Sequence, residues 1–410
     1  PVVAVQAQLH GWHDVRDHYR EAAIAACYAG AEVQAAALAL HGSEEERARQ
    51  LVAYAQKIVV ASDPDAFATG EATTAEDSLA NGEGSRTAVA LALAQASGLE
   101  ARLVLARRAT DAQHGLALDA FTRPLVEFVF HSNTGDHARL VDVETSGLGF
   151  GALPPELAPG EALEVPLRRP RGNDALIALR VPLDREENVA DADLQLEPSG
   201  DAEIRLAIRM GSFRSAQTRA SLRFLRPEER QQFFEQVAQR IFPGASGVTG
   251  VVQHEADLDR GLELELRCRV PHLVDLERLA REATIDIDQL VPALGLKRMY
   301  AAGAARKFAL WIDAPLFETA TFRLHLADGV VVAQRATGTR LNTAFGDYSV
   351  DFRQPDARTL EVRRSFRIPP QVIPAAEYGA FARFASQIED VERERLSLGR
   401  VAESGGAGGR

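Results

Sequence analysis

Cysteine and lysine are scarce in this chain. Its 410 residues hold two cysteines, Cys27 and Cys268. Far apart in sequence, they offer neither a metal-ligand spacing nor a disulfide framework. Two separate buried thiols are a simpler reading than one long-range bridge. Lysine occurs only as Lys57, Lys297 and Lys307, so arginine carries the positive charge. No apolar run reaches the roughly 18–20 residues of a membrane-spanning helix. A basic segment leading into an apolar one, the mark of a secretory signal, is also missing. Starting at Pro1, the chain reads as a mature product or an excised piece of a longer protein, and its compartment is not legible. A basic surplus is absent too. Residues 1–165 carry 23 acids against 11 Lys and Arg, and residues 166–410 carry 35 of each, so the whole net charge of −12 sits in the first part. Nucleic-acid binding needs a basic face to meet phosphates, and this balance argues against it.

Apolar residues make up 46% of the chain and charged residues 25%, enough for the cores of two or three domains. The spacing of Trp12, Val15, His18, Tyr19, Ala22 and Ala23 predicts a helix over 11–40. Ser43 followed by Glu44, Glu45 and Glu46 predicts a second helix to residue 57, with a hydroxyl cap and acids against the helix dipole. A long loop with a short helix near 74–80 leads to 79-LANGEGSRTAVALALAQASGLEARLVLA-106. Here a Gly-rich turn enters a helix over about 84–97, Gly98 suits a left-handed C-cap, and a strand follows over 101–107. Further strands are expected near 124–130 and 138–143, before the Gly/Pro-rich run 148–162. Helices followed by a small antiparallel sheet make residues 1–165 α+β. From about 174 the pattern alternates as strands do, with the hairpin signals PSGD and ADG. A helical insert spans 213–242, with Pro227 at a helix start and Pro243 beyond the end. A last helix begins at Pro374, its stripe of Tyr378, Phe381, Phe384, Ile388 and Val391 suited to docking on a sheet. Residues 401–410 form a Gly-rich tail.

Four segments carry a resemblance. GWHDVRDHYREA is similar to a Trp-led first helix, and NGEGSRTAVALALAQASGLEARLVL to a catalytic helix with its following strand. ARLVDVETSGLGFGALPPEL is similar to a strand ending in a catalytic Asp. The segments 210–237 and 347–384 are similar to a C-terminal β domain and its final helix. In this order they resemble bacterial transglutaminase-like proteins of the papain-like superfamily, with flanking β-sandwich domains of unknown function. The resemblance implies a transglutaminase-like core over 1–165 and a mainly antiparallel β-sandwich region with inserted helices over 166–400.

In that family a Cys at the helix start, a His on the next strand and an Asp on the strand after it perform acyl transfer. Counted back from Gly98, the Cys position falls on Glu83, or on Gly84 if one residue is deleted. The His position falls on Arg123 and the Asp position on Asp142. A carboxylate cannot replace a thiolate, and an always-protonated Arg cannot act as a base. The resemblance therefore implies a degenerate triad of Glu83, Arg123 and Asp142. If those side chains form a charge cluster, Glu83 and Arg123 should lie within ion-pair distance, with Asp142 beside Arg123. The bland alternative has Glu83 merely capping its helix and Arg123 on the surface.

Ser85, paired with His114, is a rescue nucleophile; capping the helix is its structural role. His10, His13 and His18 lack the spacing of a metal site and read as helix-surface residues. Cys27 on an Ala-rich face and Trp12 read as packing residues. The resulting expectation is a non-catalytic structural or binding module of a larger bacterial envelope or exported protein, with a protein or peptide partner and no cofactor or metal. The rival is a cysteine-independent hydrolase or amidase using Ser85 or a Glu83/Asp142 carboxylate pair.

Overall fold

The computed structural model describes residues 10–61, 72–108, 116, 120–121, 123–132, 135–167, 176–276, 283–334 and 337–400. They fall into two compact units. The first comprises residues up to Leu183 with Ser212–Ala220 and Asp257–Arg260; the second comprises Asp184–Gly211, Ser221–Ala256 and the chain from Gly261 on. The tail 401–410 lies outside the described residues. No helix among them is long and apolar enough to cross a membrane.

The first unit opens with α1 (Trp12–Ala26), α2 (Ala31–Ala37) and α3 (Glu44–Ile58). The single helix expected over 11–40 is thus two. Its backbone turns extended at Gly30, and the new helix start is satisfied from outside, where Val33 N donates to Glu76 Oε1 at 3.2 Å. Helix α3 begins as expected, with Ser43 and Glu46 forming a reciprocal capping box. The short parallel strands β1 (Val60–Ala61) and β2 (Glu83–Gly84) flank α4 (Ala75–Asn81).

Helix α5 (Arg86–Ala96) is buried on every side from Arg86 to Ala94. Its Ala/Leu sequence has no polar stripe, and a helix apolar all round belongs in a core. Beyond it lies an antiparallel sheet of β3 (Glu100–Arg108), β4 (Arg123–Phe130), β5 (His137–Val141), β6 (Gly160–Val165) and β7 (Leu176–Leu179), ordered β5-β4-β3-β6-β7. Because β7 pairs with β6, this unit continues past residue 165. Arg107, almost wholly buried at the end of β3, lies 5.1 Å from the Trp12 ring and 4.7 Å from the Phe121 ring. It also ion-pairs with Glu161. Trp12 anchors α1 by this stacking and by an edge contact to Phe121 at 5.3 Å.

The second unit begins with β8 (Asn188–Leu196) and β9 (Ala202–Arg209). Helices α6 (Ser212–Leu222) and α7 (Pro227–Ile241) follow; most of α6 belongs to the first unit. Then come β10 (Ser246–Gln253), β11 (Glu263–Val270), β12 (Ala283–Asp286), α8 (Ile287–Leu290), α9 (Leu296–Tyr300) and β13 (Leu310–Ile312). The chain continues through β14 (Leu316–His325), β15 (Val330–Gln334), β16 (Thr339–Thr343), β17 (Gly346–Asp356), β18 (Thr359–Ile368), β19 (Gln371–Ile373), α10 (Tyr378–Glu392) and β20 (Arg395–Arg400).

Eight strands form one sheet, ordered β10-β11-β9-β8-β14-β18-β17-β16, antiparallel except where β14 runs parallel to β8. Two smaller sheets accompany it, β12-β20-β15 and β13-β19. Leu194, Leu206, Leu266, Phe322 and Val362 enter one core with Phe234 and Ala238 of α7 and Phe381, Phe384 and Ile388 of α10. Their neighbours Asp193, Arg205, Arg267 and Arg363 are exposed on the opposite side. With side chains alternating across a strand, that second face carries charge and suits water, while Ile285, Leu310, Leu396 and Leu398 of the smaller sheets join the same core. Helix α10 is also held by polar contacts. Buried Arg364 bonds Glu392 at 2.9 Å, pairs with Glu318, and donates to Pro292 O at 2.5 Å. Burial pushes the Glu392 carboxyl up, against the pull of Arg364.

Candidate functional site

Arg123 opens β4 and Asp142 follows β5. Their antiparallel register, Val126 opposite Val141, brings Asp142 back to the start of β4. There Arg123 Nη2 donates to Asp142 Oδ2 at 2.7 Å and also to Thr145 Oγ1. Asp142 is fully buried. Its Oδ1 accepts from Glu144 N at 2.9 Å and Thr145 N at 3.0 Å, and its Oδ2 accepts from Thr145 Oγ1 at 2.7 Å. The carboxylate is thereby clamped by its own following turn. Burial works against the charge on Arg123, but Asp142, Glu156 and Glu144 outweigh it and hold the guanidinium above its ordinary value. Glu156 sits in the short 3-10 turn Pro155–Leu157, where burial pushes its carboxyl up.

The start of α5 faces the same turn. Ser85 Oγ accepts from Ala88 N at 3.1 Å, a helix cap made from within. Glu144 Oε1 accepts from Thr87 N at 2.9 Å, a second cap supplied across the fold. Burial pushes the Glu144 carboxyl up, opposed by the hydrogen bonding from Thr87. Arg86 begins the helix with a cation, against the dipole. Carbonyls offset that cost: Arg86 donates to Val59 O and Glu144 O, each at 2.7 Å, and to Ser146 Oγ at 2.8 Å. A helix start is a ready anion site, and here the chain fills it with its own carboxylate.

Of the expected residues, the structure joins Arg123 to Asp142 and leaves Glu83 apart. Glu83 is exposed in β2, beside β1, and forms no ion pair among the described residues. The pairing of Glu83 with Arg123 is therefore not made; the acids acting on Arg123 come from the loop after β5 instead. Gly84 cannot accept a side chain where it stands. Its φ is +146°, and a Cβ there would lie 2.3 Å from Ser78 Oγ. Ser85 is buried, with its hydroxyl occupied as a cap. His114 lies outside the described residues.

His10, His13 and His18 are exposed, and no cluster of His, Cys, Asp or Glu among the described residues is placed to hold a metal. Cys27 and Cys268 are free and buried, and burial pushes their thiols up to about 12 and about 11. Sequence reasoning missed Arg86, Glu144, Thr145 and Glu156. Two signals were available: the acid two residues beyond Asp142 in DVET, and a cation at the first position of a helix with no acid in its first turn.

Residues 289–398 match the sequence profile of a domain of unknown function with a solved structure, DUF3858. No curated protein matches the chain. In three dimensions 94% of the chain is similar to a solved protein of Parabacteroides distasonis described as a "putative protease", with a TM-score of 0.54 and 10% sequence identity. The match spans 58% of that protein's length, so this chain accounts for less than two thirds of it. At this identity the likeness is one of fold, a mixed α+β arrangement rich in sheet.

Proposed function

We propose that the first unit is a transglutaminase-like domain that has lost its chemistry and serves as a non-catalytic binding module. Its partner is a protein or peptide, and by resemblance it belongs to a larger envelope or exported bacterial protein. The observation that carries this reading is the Glu144 carboxylate on Thr87 N at 2.9 Å. Acyl transfer needs a free nucleophile and a base at the helix start. Here a carboxylate of the chain sits there, and the base position holds an arginine paired to Asp142 at 2.7 Å. A serine hydrolase is less well supported because the Ser85 hydroxyl is buried and used as a cap. A Glu83/Asp142 carboxylate pair is less well supported because Glu83 is exposed and Asp142 is already fully hydrogen-bonded.

The test has two arms. Peptide hydrolysis and amine incorporation should be undetectable in the unmodified chain; turnover that disappears in Ser85→Ala would overturn the proposal. Selection from a random peptide library should yield ligands whose binding falls in Arg123→Met or Glu156→Gln. A library that yields none sensitive to those changes would remove the binding role.

A further inference from the structure

The stretch from Gln289 to Ile312 contains no acid and four cations, Lys297, Arg298, Arg306 and Lys307, two of them among the chain's three lysines. All four are exposed, and none forms an ion pair among the described residues. Arginines elsewhere in this unit are commonly matched, as Arg230 is with Glu255, Arg269 with Asp201 and Arg323 with Glu361. Two large apolar side chains stand out among these cations, Met299 at 56% and Phe308 at 80% exposure. The segment is nevertheless held in place. Helix α9 packs on α10. The following loop is tied to the start of α10, where Tyr378 Oη donates to Gly303 O at 2.9 Å and the Arg306 guanidinium lies 5.7 Å from the Tyr378 ring.

We infer that this segment binds the surface of an anionic lipid bilayer, with Lys297, Arg298, Arg306 and Lys307 meeting headgroup phosphates and Phe308 and Met299 entering the interface. A short segment with two exposed apolar residues is small for a stable protein interface, which buries roughly 800 Å² on each partner. It suits a bilayer surface, where a few inserted apolar groups act together with basic residues.

The full chain is tested by flotation with vesicles of phosphatidylcholine alone or mixed with phosphatidylglycerol. Binding is expected only to the mixed vesicles, weakening as salt rises. Each basic residue near such a surface changes partitioning about fivefold, so Lys297→Ala with Lys307→Ala should weaken binding about 25-fold. Phe308→Ser should remove the part that persists at high salt. Circular dichroism confirms that both variants fold. Absence of binding to mixed vesicles, equal binding to neutral ones, or unchanged binding by the double variant would overturn the inference. A chain that ignores vesicles but binds polyglutamate through the same lysines would also overturn it, assigning the segment to an acidic protein.

Discussion

Replacing Arg123 with Met tests whether the pair with Asp142 holds the first unit together. The change keeps most of the aliphatic stem and removes the cation. Asp142 remains fully buried with three hydrogen bonds, from Glu144 N, Thr145 N and Thr145 Oγ1. Breaking a buried pair from one side costs about 3–5 kcal/mol. The Arg123 side chain is 26% exposed, and the remaining donors still serve the carboxylate, so the cost falls below that range, to about 2–3 kcal/mol. For a unit of this size each kcal/mol shifts the melting temperature by roughly 2–4 °C, which predicts a fall of about 4–12 °C. Scanning calorimetry of the whole chain reads this as movement of one transition. Asp142→Asn and the double variant complete a cycle, and the double should cost at least about 1 kcal/mol less than the sum of the singles. If Arg123→Met melts within about 1 °C of the parent, or if the effects add, the pair is not a structural clamp.

Burial raises the folded-state value of Glu144 above the unfolded 4.5, and Glu156 shifts in the same sense. Such carboxyls contribute stability below the unfolded value and lose it as pH rises through the raised folded value. Glu144→Gln should therefore flatten the decline in stability from about pH 4.5 upward, read by urea midpoints; an unchanged slope would contradict the burial argument. Ser85→Ala should cost about 1 kcal/mol through the lost cap, seen as a lower urea midpoint, and a neutral result would deny that role. Cys27 and Cys268, with thiols raised to about 12 and about 11, should resist a disulfide exchange reagent at pH 8 until denaturant is added. Rapid labelling of either thiol in the native chain would contradict its burial.

Much of the local structure was legible because its signals are local. Ser43 with Glu46 starts α3 whatever lies around it, since capping involves only neighbouring backbone. The Ala/Leu run after Ser85 declares a buried helix, and the alternation of β9 and β11 declares strands with one inward face. Pairing was not legible at the same level. That β14 lies parallel to β8, joining two antiparallel halves into one eight-stranded sheet, depends on contacts more than a hundred residues apart. The candidate site divides the same way. Arg123 and Asp142 were placed by the resemblance, one where a strand opens and the other where the next one ends, and the β4–β5 register brings them together.

Glu83 was matched to the family's Cys position by counting back from Gly98, but the short pairing of β2 with β1 leaves it at the surface. The carboxylate that reaches the start of α5 belongs to Glu144, 57 residues from Thr87 in sequence. The residues themselves determined helices, strand faces and the missing thiol, because those follow from side-chain type and spacing. Only the tertiary structure decided which acid meets which donor, because burial makes each polar group take the partner that folding brings within reach.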